Sequence, residues 1–250
     1  LNDPVMPMPL SPRRWLAHAA ACLVLAWPAF AAAYGPMYNI GNLGVLDSSW
    51  YYQSIQYRIV ENARQRNAAA KAADTPPAPS RDAVVKLVTR ADGPTRIPSR
   101  LAAGYPPAGR AQAESTFATL LRSYGDIERR FGIEPGDLGG AAAAFVAGCW
   151  MAMRGEDFPD HHFATLVAQM RRVMASQPGF ASVPARERRE AYEQLAIIGM
   201  FMATTQMGLK SRPDAALAKS SREAARGYLQ QFLKGDVDRL TLGDDGLVLR

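Results

Sequence analysis

The densest group of side chains able to do chemistry is Glu156-Asp157-Phe158-Pro159-Asp160-His161-His162. Carboxylate and imidazole together are the ligand types that zinc and related transition metals prefer. The same groups serve as general acids and bases. Adjacent histidines at the start of a helix diverge by about 100°, because a turn takes 3.6 residues, so one ion would struggle to use both. Acids at a helix N-terminus also have a purely structural reason to be there, since they cap exposed amides and meet the positive end of the helix dipole. Helix capping is therefore the preferred reading of Asp157 and Asp160. A metal or acid–base role for Asp157, Asp160, His161 and His162 is the rival. Glu193, followed by Gln194, stands immediately before the most apolar stretch of a helix. Drawn into a bundle, its carboxylate would need a cation such as Arg154 or Arg226. A structural ion pair is preferred there over a working carboxylate.

The motifs that fix a reaction are missing from the sequence. There is no Glu-x-x-His, phosphate-cradling Gly loop, Gly-x-Ser-x-Gly, His-Glu-x-x-His or paired Cys-x-x-Cys. No cofactor or metal is called for by the remaining residues. Cys149 lies in Phe145-Val146-Ala147-Gly148-Cys149-Trp150-Met151, an apolar setting that suits a buried thiol rather than a nucleophile.

The elements that carry these residues read as helices. Phe117, Leu120, Leu121, Tyr124, Ile127 and Phe131 form one stripe of a first helix from Gln112, closed by Gly132 as a left-handed cap. Asp137 sits where an N-cap belongs, ahead of a second helix from Leu138 to Met153. That stretch is charge-free and rich in Gly and Ala, which predicts the central helix, with small residues letting neighbours approach closely. A third helix, from about Pro159 to Ser176, turns Phe163, Leu166, Val167, Met170, Val173 and Met174 inward and Arg171 and Arg172 outward. Pro184 opens a fourth running to about Leu209, and Pro213 a fifth that stops before Gly235. Leu240 to Leu242 and Leu247 to Leu249, separated by Gly243-Asp244-Asp245-Gly246, predict a hairpin.

Ahead of these elements the texture differs. Arg13-Arg14, an apolar run from Trp15 to Phe30, and Ala29-Phe30-Ala31 or Ala31-Ala32-Ala33 compose a secretory signal over 1–33. The run falls short of the roughly 20 residues that span a bilayer, so cleavage and export are expected, with no membrane span left afterwards. Cys149 would then be the one remaining cysteine, so no disulfide within the chain is available to the mature fold. Residues 34–73 form an aromatic, Ala-rich lead with a possible helix from Trp50. Seven prolines among Ala, Arg and Ser over 74–110 predict an extended, flexible linker, with Ala83 to Thr89 as its one strand-like piece.

Charge obeys the same division. Residues 58–110 hold ten basic and four acidic side chains, whereas 111–250 hold seventeen of each. The formal net charge of +6 thus belongs to the linker. A nucleic-acid-binding domain concentrates its positive field on a structured surface, so nucleic acid is not an expected partner.

The segments Asp137 through Gly155, Phe163 to Met170, Glu190-Ala191-Tyr192-Glu193-Gln194-Leu195-Ala196-Ile197-Ile198-Gly199-Met200-Phe201 and Ala225 to Leu229 resemble an uncharacterised bacterial family of exported, helix-rich proteins. The likeness covers roughly residues 95–250, and it implies export and a helical domain but no activity. The sequence therefore points to an all-α domain over 111–250: five helices in an orthogonal, bundle-like arrangement with a C-terminal hairpin. Its expected role is non-enzymatic, as a periplasmic or secreted module that meets an envelope protein or an anionic envelope polymer. The alternative is an enzyme of unrecognised type built on Asp157, Asp160, His161, His162 or Glu193.

Overall fold

The computed structural model describes residues 87–89, 94–175, 180, 183–233, 235–243 and 246–249. The signal expected over 1–33 and the aromatic lead over 34–73 lie outside the described residues. The elements are α1 (Ile97–Ala102), α2 (Pro107–Arg130), α3 (Leu138–Arg154), α4 (Asp160–Ala175), α5 (Ala185–Ser211) and α6 (Ala215–Leu233), then a 3-10 turn (Val237–Arg239), β1 (Leu240–Gly243) and β2 (Gly246–Leu249). The all-α domain with its hairpin is thus the observed fold.

The structure differs from expectation at two places. The extended linker over 74–110 does not reach 110, because α1 and the first turn of α2 fall inside it. Pro98 and Pro107 lie in the opening turns of α1 and α2, where a missing N–H costs nothing and the fixed φ suits a helix. Proline density here marks helix starts rather than helix breaks. Of the strand-like piece ending at Thr89, the described part is a single antiparallel bridge, Val88 to Asp137, with the Thr89 N–H donating to the Gly136 carbonyl at 2.8 Å.

At the centre lies α3, buried at every position from Leu138 to Ala152. It has no charge before Arg154, so no face of it requires water. Asp137 caps it, accepting from the Gly139 N–H at 2.9 Å, and Gly155 ends it at φ 75°. α5 shares the centre and runs in the same direction. Glu128 links Tyr192 of α5 to Gly136 just ahead of α3, Gly199 meets Gly148 midway, and Lys210 reaches Asp157 just beyond α3. Between them α4 turns back, with Phe158 stacked on Trp150 before its start and Arg171 lying over Gly139 near its end.

The outer helices pack through aromatic rings. Phe117 of α2 lies against Tyr105 and Phe201, at centroid distances of 5.9 and 6.3 Å. Phe145 of α3 meets Phe232 and Tyr228 of α6 at 4.9 and 6.1 Å. The six residues assigned to the inner face of α4 are all buried. The end of α2 turns as Gly132 predicts: at φ 61° it lets its own N–H reach the Arg129 carbonyl and the Ile133 N–H reach that of Glu128. In the hairpin, Leu240 pairs with Leu249 and Gly243 with Gly246. The Gln169 amide fastens its outer edge like a short third strand, donating to the Leu247 carbonyl and accepting from the Leu247 N–H, both at 2.9 Å.

A β-carbon on Gly148 would collide with the Gly199 carbonyl, and one on Gly199 would lie 2.6 Å from the Ala144 carbonyl oxygen. Both obstacles are backbone, so no side chain can swing aside. Helix propensity alone would make alanine at either site stabilising by up to about 1 kcal/mol. Overpacking reverses the sign: Gly148→Ala or Gly199→Ala is expected to cost about 2–3 kcal/mol or more. Gly227, exposed in α6 with nothing near its would-be β-carbon, is the control, and Gly227→Ala should gain about 0.5–1 kcal/mol. Urea midpoints of the three variants check this, and a stable Gly148→Ala protein would refute the close approach of α3 and α5.

Candidate functional site

The residues singled out from sequence are not brought together. Asp157 pairs with Lys210 at 2.7 Å, both partners substantially exposed. Asp160 opens α4 and pairs with Arg130. His161 is exposed and His162 half-buried, their rings 4.0 Å apart at the helix start. Glu193 is buried in α5, where it accepts from the Arg189 guanidinium at 2.5 Å and from the Thr95 hydroxyl. Its cation is thus the arginine one turn earlier on its own helix, not Arg154 or Arg226. Arg154 instead donates to the Leu240 carbonyl at 2.7 Å and Arg226 pairs with Asp238. No group of three or more His, Cys, Asp or Glu able to hold a metal ion occurs among the described residues. Cys149 is wholly buried, and loss of hydration pushes its thiol far above the usual range, so it stays protonated and unreactive.

The structure does assemble a polar cluster elsewhere, at the end of the core where α2, α3, α4 and α5 meet. It is built on Tyr124, Glu128, Asp137, Arg171 and Tyr192. Tyr124 and Glu128 stand one turn apart on the inner face of α2, continuing the stripe of Phe117 and Leu120. The Oε1 atom of Glu128 accepts from the Tyr192 hydroxyl at 2.9 Å and from the Gly136 N–H at 3.0 Å. Gly136 receives Thr89 on its carbonyl, from both the N–H and the side-chain hydroxyl. Its φ of 86° suits glycine, and any β-carbon there would strike the Thr89 carbonyl.

Asp137, 1% exposed, receives the Gly139 N–H on one oxygen and Arg171 of α4 on the other, the latter at 2.6 Å from Nε. Arg171 does not face outward as the α4 pattern predicts. Its aliphatic stem crosses Gly139 and its head turns inward to this carboxylate. Burial is the main force raising the Glu128 carboxyl above the ordinary carboxylate range, only partly opposed by the bonds from Tyr192 and Gly136. The phenols of Tyr124 and Tyr192 are pushed well up by burial, with Glu128 adding to it, and remain neutral hydroxyls.

Sequence reasoning misses Glu128 because it sits in Asp126-Ile127-Glu128-Arg129-Arg130, which has the texture of a solvated face. The helix phase carries the missing signal, since 117, 120, 124 and 128 fall on one stripe. Chemically the cluster fastens elements: each bonded acceptor is met by a donor from a different segment, and no open cleft is needed to explain the composition.

Breaking one half of a buried pair strands the other charge. Arg171→Leu, which leaves Asp137 capped but unpaired, should cost about 3 kcal/mol by thermal or urea unfolding. Adding Asp137→Asn should recover part of that loss, since asparagine still caps the helix without a charge. His161→Ala, at an exposed site, should stay within about 0.5 kcal/mol of the parent. A large loss there would reinstate the histidine cluster as a functional centre.

No curated protein and no solved structure matches the chain. The family resemblance over 95–250 extends further toward the N-terminus, to residue 13. With the match covering residues 13–250, the chain belongs to the family of unknown function DUF6683.

Proposed function

We propose that the chain is an exported, non-catalytic protein in which a rigid helical head is carried on a basic lead that rests against an anionic polymer of the cell envelope. One observation carries this reading: the positive charge is segregated from the head. Ten basic and four acidic residues lie over 58–110, against seventeen of each over 111–250. Three of the ten basic residues, Arg96, Arg100 and Arg110, sit at the start of the folded part. Arg100 is already paired with Glu190, and Arg110 donates to the Tyr105 carbonyl. The surplus available to a partner thus lies in the segment before Leu87. The Arg13-Arg14 start and the apolar run to Phe30 support export. No helix among the described residues is long and apolar enough to cross a membrane.

The enzyme alternative loses its central group, because Glu193 is saturated by Arg189 and Thr95, and Asp157 and Asp160 are bonded to surface cations. The test is co-sedimentation of the mature protein with its own envelope fraction. Binding at about 0.1 M salt should be lost near 1 M, where the screening length contracts from about 10 to about 3 Å. Replacing the basic residues at 58, 64, 66, 71, 81 and 86 by glutamine should abolish it with the head still folded. Recovery of the protein in the cytosol, or binding indifferent to both salt and those substitutions, would sink the reading.

A further inference from the structure

Three carboxyl groups are almost wholly buried among the described residues: Glu128, Asp137 and Glu193. Asp137 and Glu193 are each neutralised by an arginine. Glu128 has no bonded cation there. Both of its hydrogen bonds, from Tyr192 and Gly136, arrive at the same atom, Oε1, and Oε2 has no donor among the described residues. That asymmetry is the pattern of a carboxylic acid, whose carbonyl oxygen accepts while its other oxygen holds the proton. One turn away, the Tyr124 hydroxyl is buried and lacks a partner among the described residues. An orphan hydroxyl beside an orphan carboxyl oxygen costs free energy on both sides unless a proton joins them.

We propose that Glu128 is a built-in proton switch, held as the neutral acid with its proton on Oε2 shared with Tyr124, and that its ionisation loosens the clasp on residues 87–89. The clasp is a chain of bonds: Tyr192 and Gly136 on Glu128, and Thr89 on Gly136, with Leu87 fully buried beside it. It marks the point where the preceding chain joins the head, so the switch governs that attachment wherever the protein resides. On ionisation the Oε2–H bond breaks, the proton passes to a base in solvent, and an uncompensated charge stays in the core.

The other groups facing Glu128 come from every element packed on it. α2 offers Tyr124 itself. The turn before α3 brings the negative Asp137, neutralised from α4 by Arg171. α5 brings Tyr192 and Arg189, the latter bonded to Glu193. Burial raises the folded-state value of Glu128 above its unfolded one. Its contribution to stability is therefore complete below the ordinary carboxyl value and is lost as pH rises through the folded value.

The experiment uses the full chain with Glu128→Gln and Tyr124→Phe variants. In the parent, infrared spectra at mildly acidic pH should contain the C=O band of a protonated carboxyl, absent in Glu128→Gln. The exchange protection of the Thr89 amide should fall about tenfold from about pH 5 to about pH 8, and remain flat in Glu128→Gln, where the amide copies the neutral acid. In Tyr124→Phe the neutral form loses its acceptor, so the carboxyl should titrate at lower pH than in the parent. Should Glu128→Gln fail to fold, carbon NMR of the parent carboxyl decides alone. A titration at or below the ordinary carboxyl range, a Tyr124→Phe shift to higher pH, or equal pH dependence of Thr89 in parent and Glu128→Gln overturns the proposal.

Discussion

Everything in this fold depends on two backbones touching. Where Gly148 of α3 meets Gly199 of α5, no side chain intervenes on either helix. Two helices that close bury each other's small residues, so Ala141 to Ala144 on one side and Ala196 to Ile198 on the other vanish from solvent. Parallel neighbours joined by a long connection need a return element, and α4 supplies it along the same α3 surface. The core is therefore set by the absence of side chains at one crossing, and dispersion between densely packed backbones supplies much of the cohesion that large residues give elsewhere.

A centre so tight and apolar has no room for polar groups, which are displaced to its ends. At one end lie Glu128, Asp137 and Glu193 with their tyrosines and arginines; beyond the other, Asp157 meets Lys210. Hydrogen bonds are directional where packing is not, so these groups fix what the smooth centre leaves free. Asp137 sets the start of α3 and holds α4, Glu128 sets the turn that receives Thr89, and Glu193 ties α5 to Thr95. An apolar substitute of equal size could supply comparable stability but would not select one register of α3 against α5.

Much of this is legible from residue order, because punctuation in the chain is local chemistry. Gly132 and Gly155 take the left-handed conformation that ends a helix, Asp137 caps the next one, and the Gly-bounded turn after Leu242 yields the hairpin. Proline between 97 and 110 is ambiguous, since a proline that breaks a helix and one that begins it differ only in the residues after them. The Arg189–Glu193 pair is available from its four-residue spacing, a nearer choice than the distant Arg154 or Arg226. Thr95 on Glu193 and Arg171 on Asp137 span 98 and 34 residues, and no local rule encodes them. They arise from the approach of α3, α4 and α5, which the sequence expresses only as an abundance of glycine and alanine.

The three buried carboxyls also show why a candidate site cannot be found by residue type alone. Glu193 stands out for the apolar run behind it, and that run is what forces it to take Arg189 and Thr95, leaving its two oxygens spent. The acids of 156–162 stand out for their density, yet density on a surface means solvent, and solvent means weak pairing. Glu128 is concealed among charged neighbours, but its place on the α2 stripe puts it in the core with hydroxyls and an amide for company and no bonded cation. A buried acid so placed meets its desolvation cost by keeping its proton rather than by finding a counter-ion. Of the three it is the one whose charge state depends on the medium, and so the one through which the surroundings can act on the fold.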